Sequence, residues 1–267
     1  MSALLASKTA IVYGGGGAIG GAVARVFGRE GARVFLAGRT RSKLATVARD
    51  IESAGGAAEI ATLDLFDEAQ VRAHADAVAA KSAGIDIMLN AVGIPHIQGK
   101  PFAETTLVEF EQPVTLTARA QFIAAQAVAR HMIERKRGVI LTLTTPGGRI
   151  AGKGFLANGV FSAATEAFSR LLAAELGGHG IRLICLRPDA IPDAVALSHS
   201  NEVFEGFARR AGTTVADMLA EHGRTHTLLG RLPRLAEVAE FAAFAASDRA
   251  GAMTGAIGNL TCGSMVD

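Results

Sequence analysis

The sequence has no tryptophan, a single tyrosine and only two cysteines. Aromatic residues make up 5% of the chain, too few for the stacking platform that single-stranded nucleic acid needs. The two cysteines stand apart, Cys185 in an apolar run and Cys262 near the last residues. Two isolated thiols exclude a disulfide framework, give no metal-site spacing, and point to a reducing cytoplasm. Charge of one sign is also scarce. The formal net charge is +2, and Arg39, Arg41 and Lys43 form a local basic patch too small for a nucleic-acid footprint. No apolar run is long enough to span a bilayer, and "MSALLASK" lacks the charged and apolar regions of a signal peptide. The expectation is a soluble cytoplasmic protein with no metal, nucleic-acid or membrane partner.

What is present is apolar content, 49%, and 31 glycines in 267 residues, with 19% charged residues. That balance suits a globular chain with tight turns and excludes disorder. Short apolar runs alternate with helical patterns. Strands are predicted at 9–14, 32–38, 57–63, 85–91, 138–145 and 181–188, with a weaker one at 255–260. Helices are predicted at 18–30, 41–54, 67–81, 104–135, 155–178 and 235–246. Most strands are apolar on both faces, as strands covered by helices on both sides must be. The alternation predicts one α/β domain over residues 1–267, a Rossmann-type doubly wound parallel sheet of about seven strands. Residues 190–230 break the rhythm and are read as a substrate loop or lid over the carboxyl edge of the sheet.

The strongest motif is "IVYGGGGAIGGAVARVFG". A strand ends at Tyr13, Gly14 to Gly17 turn, and a helix starts near Ala18. Turn glycines let backbone approach a pyrophosphate, and a helix N-terminus offers free N–H groups with partial positive charge. The second strand ends in "LAGRT". An acidic residue there suits a free ribose 2′-hydroxyl, whereas an arginine suits a 2′-phosphate. Arg39 stands there, with Arg41 and Lys43 behind it and no acid, so NADP(H) is favoured over NAD(H).

The spacing Gly14-x-x-x-Ala18-x-Gly20 resembles the T-G-x-x-x-G-x-G loop of short-chain dehydrogenases/reductases, with Tyr13 for the threonine and Ala18 for the middle glycine. The resemblance runs through the whole chain. "LDL" at 63–65 matches the family's aspartate after strand three. "LNAVGI" at 89–94 resembles its N-N-A-G segment, and "LRPD" at 186–189 stands where the family has a P-G pair. The resemblance implies a nicotinamide dinucleotide against Gly14, Gly17, Ala18, Ile19 and Gly20, with Arg39, Asp64 and Leu65 on the adenosine side. It places Asn90, Ala91, Gly93 and Pro188 toward the nicotinamide. It also implies a homo-oligomer, dimer or tetramer, built on the two long helices.

The family works with Ser, Tyr and Lys, the last two as Y-x-x-x-K, plus an Asn on the preceding helix. Overlaying "NGVFSAATEAFSRLLAAEL" on that helix puts Asn158 at the Tyr position and Ser162 at the Lys position. Thr145 then falls at the Ser position and Thr117 at the Asn position. No other register restores the motif, because Tyr13 is the only tyrosine and no lysine follows Lys153. An amide exchanges no proton near neutrality, and a serine supplies no charge. General acid–base catalysis typically contributes about 10²–10⁴ in rate.

His96 and Lys153 are candidate substitutes, each with the plainer reading of a solvated loop residue. His199, His222 and His226 are not at metal-ligand spacing. The helical stripe Phe161, Ala164, Phe168 and Leu171 is read as core or interface. Three functions remain open: an NADP(H)-linked oxidoreductase with an altered tetrad, a silent NADP-binding sensor or regulator, and a non-catalytic subunit pairing with an active relative.

Overall fold

The computed structural model describes residues 3–198 and 200–267; His199 lies outside the described residues. Seven parallel strands form one sheet: β1 (Thr9–Tyr13), β2 (Arg33–Gly38), β3 (Ala57–Thr62), β4 (Ile87–Asn90), β5 (Gly138–Leu143), β6 (Ile181–Pro188) and β7 (Ala256–Leu260). Their order is β3-β2-β1-β4-β5-β6-β7. The chain therefore reverses direction across the sheet between β1 and β4, where Tyr13 pairs with Asn90. That switch point opens a crevice at the carboxyl ends of the strands, where such sheets bind ligands.

The helices are α1 (Ala18–Arg29), α2 (Arg41–Ser53), α3 (Glu68–Lys81), α4 (Leu107–Arg135), α5 (Leu156–Gly177), α6 (Pro192–Val195), α7 (Ser200–Ala211), α8 (Val215–His226) and α9 (Leu235–Ala246). Alternate strand residues face opposite layers, so the sheet carries two cores. One joins Val12, Leu36, Leu89 and Leu141 to Val23 and Phe27 of α1, Leu44 of α2 and Ala242 of α9. The other joins Ile11, Phe35, Met88 and Ile140 to Val71 of α3, Val128 of α4 and Ala173 of α5.

Helix α4 begins three residues later than predicted. Thr106 caps it, accepting from the Glu109 N–H, while the Glu109 carboxylate accepts from the Thr106 N–H. This reciprocal box satisfies two otherwise orphaned donors and fixes the start. The stripe on α5, read as core or interface, divides between the two faces. Phe161 is buried and Phe168 partly so, but Ala164 and Leu171 face outward. The inward positions are instead Ser162, Thr165, Glu166 and Ser169. Ser169 bonds Thr142 of β5 at 2.7 Å, and Thr144 donates to the Ser162 carbonyl at 3.1 Å. Hydroxyl contacts thus replace apolar ones along this helix–strand seam. Residues 190–230 hold the three helices α6 to α8. Val195, Leu219 and Leu232 form a small core of their own with Phe204 and Met218.

Candidate active site

Beyond β1 the chain turns at Gly14, whose φ of +76° is a conformation L side chains rarely adopt. Helix α1 packs so closely on this turn that a Cβ at Gly20 would lie 2.3 Å from the Gly14 carbonyl oxygen. Gly17 is the N-cap, with no side-chain cap and no acidic residue in the first turn. The N–H groups at the start of α1 therefore face the crevice without a competing anion, which fits a pyrophosphate. Ala18 and Ile19 pack with Ile191, Ala194 and Val238, so the methyl that replaces a glycine is taken up by apolar neighbours.

Beneath the turn lies Tyr13, fully buried, its ring edge-on to His74 at 6.0 Å. Among the described residues neither the Tyr13 hydroxyl nor His74 Nδ1 has a hydrogen-bond partner. Burial pushes the Tyr13 phenol far above its ordinary range and His74 down to about 4, so both are neutral near pH 7.

Arg39, Thr40 and Lys43 form the wall beyond β2, with Asp64 and Leu65 opposite, after β3. Asp64 accepts from the Phe66 N–H at 3.0 Å, an Asx turn that shapes its loop. Asn90 is buried at the end of β4. Its amide donates to Gln121 Oε1 at 3.1 Å, and its carbonyl accepts from the Val92 N–H at 3.2 Å. Ala91, Gly93 and Pro188 line the same cavity, whose volume is about 1360 Å³.

At its other end stand the four positions that the resemblance assigned to the tetrad. Thr145, after β5, donates to Asn158 Oδ1 at 3.1 Å. Its one proton is then committed, so Ser162, 2.8 Å away, donates to it. The Gly147 N–H donates to the same oxygen at 3.2 Å. A Cβ at Gly147 would lie 1.8 Å from Asn158 Oδ1, so the turn must be glycine for this amide to sit here. Thr117 reaches the cavity from α4, with a buried hydroxyl that lacks a hydrogen-bond partner among the described residues.

His96 corrects its reading as a solvated loop residue. It is half-buried, edge-on to Phe161 at 5.0 Å, and its Nε2 lies 3.3 Å from Asn158 Nδ2. Gln98 Nε2 approaches the same ring nitrogen at 2.9 Å, and Nδ1 lies 2.9 Å from the Ile94 carbonyl. Lys153 is exposed and lines a separate, smaller cavity.

Residues 16–264 match the model of a family described as enoyl-(acyl carrier protein) reductase. The (+)-cis,trans-nepetalactol synthase of Nepeta racemosa is 30% identical over 96% of this chain and 90% of its own. The D-threitol dehydrogenase of Mycolicibacterium smegmatis is 29% identical over 70% of this chain and 71% of its own. The chain belongs to the short-chain dehydrogenase/reductase family. Its fold also superposes on a xylitol dehydrogenase solved with NAD+. The TM-score is 0.88 at 22% identity, covering 97% of this chain and 99% of that one.

In this short-chain dehydrogenase/reductase, the Asp189 carboxylate is one of the groups that tie helix α8 to the end of β6. His222 of α8 donates from Nε2 to Asp189 Oδ2 at 3.0 Å, and the Ser264 hydroxyl donates to the same oxygen. Burial raises the Asp189 carboxyl, but these two bonds outweigh it and hold it below the ordinary range. The same bond raises His222 above its ordinary value. His226 stacks on His222 at 5.3 Å. Among the described residues no cluster of His, Cys, Asp and Glu is placed to hold a metal, and no helix is long and apolar enough to cross a membrane.

Sequence reasoning missed Gln121, Gln98 and Gly147. Gln121 had a signal, since it lies one helical turn past Thr117 on the same face. Gln98 and Gly147 had none, because their roles depend on contacts distant in sequence.

Proposed function

We propose that the protein is an NADP(H)-dependent oxidoreductase that interconverts an alcohol and a carbonyl compound, with Asn158 and Ser162 in place of the family's catalytic tyrosine and lysine. The observation that carries this reading is one continuous cavity. It joins the uncapped start of α1 and Arg39 to the cluster of Thr145, Asn158 and His96. Among the described residues Arg39 forms no ion pair, so its guanidinium is available to a 2′-phosphate. Phe155, Phe161, Phe204, Phe207 and Leu116 surround the reaction end and favour a largely apolar substrate. Exposed Phe122, Val160 and Leu171 on α4 and α5 support a homo-oligomer paired through those helices.

The test is calorimetric titration with NADPH and NADH. NADPH is expected to bind at least ~10-fold more tightly, a difference of about 1.4 kcal/mol. Arg39→Asp weakens NADPH far more than NADH; equal losses refute the phosphate role, and binding of neither refutes the cofactor. A second reading, a silent NADP-binding sensor or partner subunit, draws on Asn158 and Ser162, neither of which exchanges a proton near neutrality. Tight NADPH binding with no turnover of any alcohol or ketone selects it.

A further inference from the structure

The proton that an alcohol must lose has no acceptor among the four tetrad positions. Thr145 has committed its hydrogen to Asn158 and already accepts from Ser162 and Gly147. The structure points instead to His96, on the following grounds. The Ile94 carbonyl can only accept, so Nδ1 carries the ring hydrogen. Nε2 of the neutral ring is then a lone pair, and the two groups facing it, Asn158 Nδ2 and Gln98 Nε2, are both donors. Asn158 is locked in this sense from its other end, because Oδ1 accepts from Thr145. Every hydrogen bond in the series from Ser162 to His96 therefore runs in one consistent direction. It presents a neutral imidazole with its basic nitrogen in the cavity wall.

We propose that His96 Nε2 is the proton acceptor when an alcohol is oxidised, and that Asn158 and Gln98 are positioning residues that hold the ring as a base. This rests on the cofactor reading above. The substrate hydroxyl displaces the longer of the two contacts, the 3.3 Å one from Asn158, and passes its proton to Nε2. The adjacent C–H bond breaks with its electron pair leaving as hydride to the oxidised nicotinamide, and the C=O bond forms. The imidazolium then has N–H on both sides, and its Nε2 proton passes on to water. Carbonyl reduction runs the same proton back.

The side chains that α5 sets against the His96 ring, Asn158 and Phe161, are neutral. Arg210 of α7 donates to the Gln98 carbonyl, and Lys100 pairs with Glu109 of α4 at 2.7 Å.

The test uses the full chain, oxidised NADP and a panel of apolar secondary alcohols. Oxidation by the wild type is expected to rise with pH as the ring loses its proton. His96→Gln lowers kcat by about 10²–10⁴-fold while NADPH affinity by calorimetry stays within about twofold. Asn158→Asp sets a carboxylate against Nε2. The ring titration followed by NMR moves to higher pH, and the rising limb of the rate moves with it. His96→Gln within about threefold of wild-type kcat overturns the proposal, as does a rate limb that stays put while the ring titration moves. Dinucleotide binding with no turnover by the wild type also overturns it and leaves the cofactor reading standing. No dinucleotide binding overturns both.

Discussion

The two ends of the cavity are built on different principles. At the proposed dinucleotide end the surface offered is backbone: a left-handed glycine, a close helix approach and uncapped N–H groups. At the reaction end it is side chain: Ser162, Thr145, Asn158 and His96 joined by hydrogen bonds. Backbone geometry needs only glycines at the right places, so a change of Gly to Ala at position 18 is absorbed by packing. Side-chain chemistry has no such tolerance. An amide such as that of Asn158 exchanges no proton near neutrality, so one side chain decides which group is able to take a proton.

This contrast is open to direct attack through its glycines, and the largest effect on dinucleotide binding is expected at the backbone end. Gly20→Val drives side-chain carbon against the Gly14 carbonyl, 2.3 Å from the Cβ position. Dinucleotide affinity should fall by at least ~100-fold, about 2.7 kcal/mol, by calorimetry. Unchanged affinity would show that the loop does not hold the cofactor. Next comes Gly147→Ala, which pushes on Asn158 from 1.8 Å. Displacing that amide by about 1 Å should cost up to ~100-fold in kcat. Dinucleotide affinity should be untouched, so a parallel loss of both would erase the distinction between the ends.

The smallest effect concerns the tie between α8 and β6. His222→Gln removes a bond to Asp189 worth about 1 kcal/mol, or ~2–4 °C in Tm. Because His222 is raised in the folded protein, its contribution is full below its unfolded pKa and lost as pH rises through the folded one. The Tm gap between wild type and variant should therefore close toward alkaline pH. A gap that widens there contradicts the ion-pair account.

The sequence reading and the structure agree where the signal is local. Apolar runs locate the five inner strands, because a strand buried on both faces leaves no polar alternation to confuse; the edge strands β3 and β7 are only partly buried and read more weakly. Arg39 and Asp64 fall in the cavity wall within two residues of the ends of β2 and β3. Helices α6 to α8 were not read as helices, because polar residues and histidines dominate the stretch and its apolar residues serve a small local core around Leu219, apart from the sheet. His96 was misread because its decisive neighbour, Asn158, is 62 positions away. Nothing in "GIPHIQG" distinguishes a solvated ring from one pinned by two amides. Arg187 was equally hidden: fully buried on β6, it pairs with Glu166 of α5 and with Asp267.

Tyr13 gives the molecule an unusual optical character. With no tryptophan in the chain, its intrinsic emission comes from one phenol, sealed beneath the glycine turn and lining the dinucleotide cavity. Emission from that ring overlaps the absorption band of a reduced nicotinamide. The protein thus carries a single built-in donor at the proposed cofactor cradle, where binding of a reduced dinucleotide would be followed by light without a label.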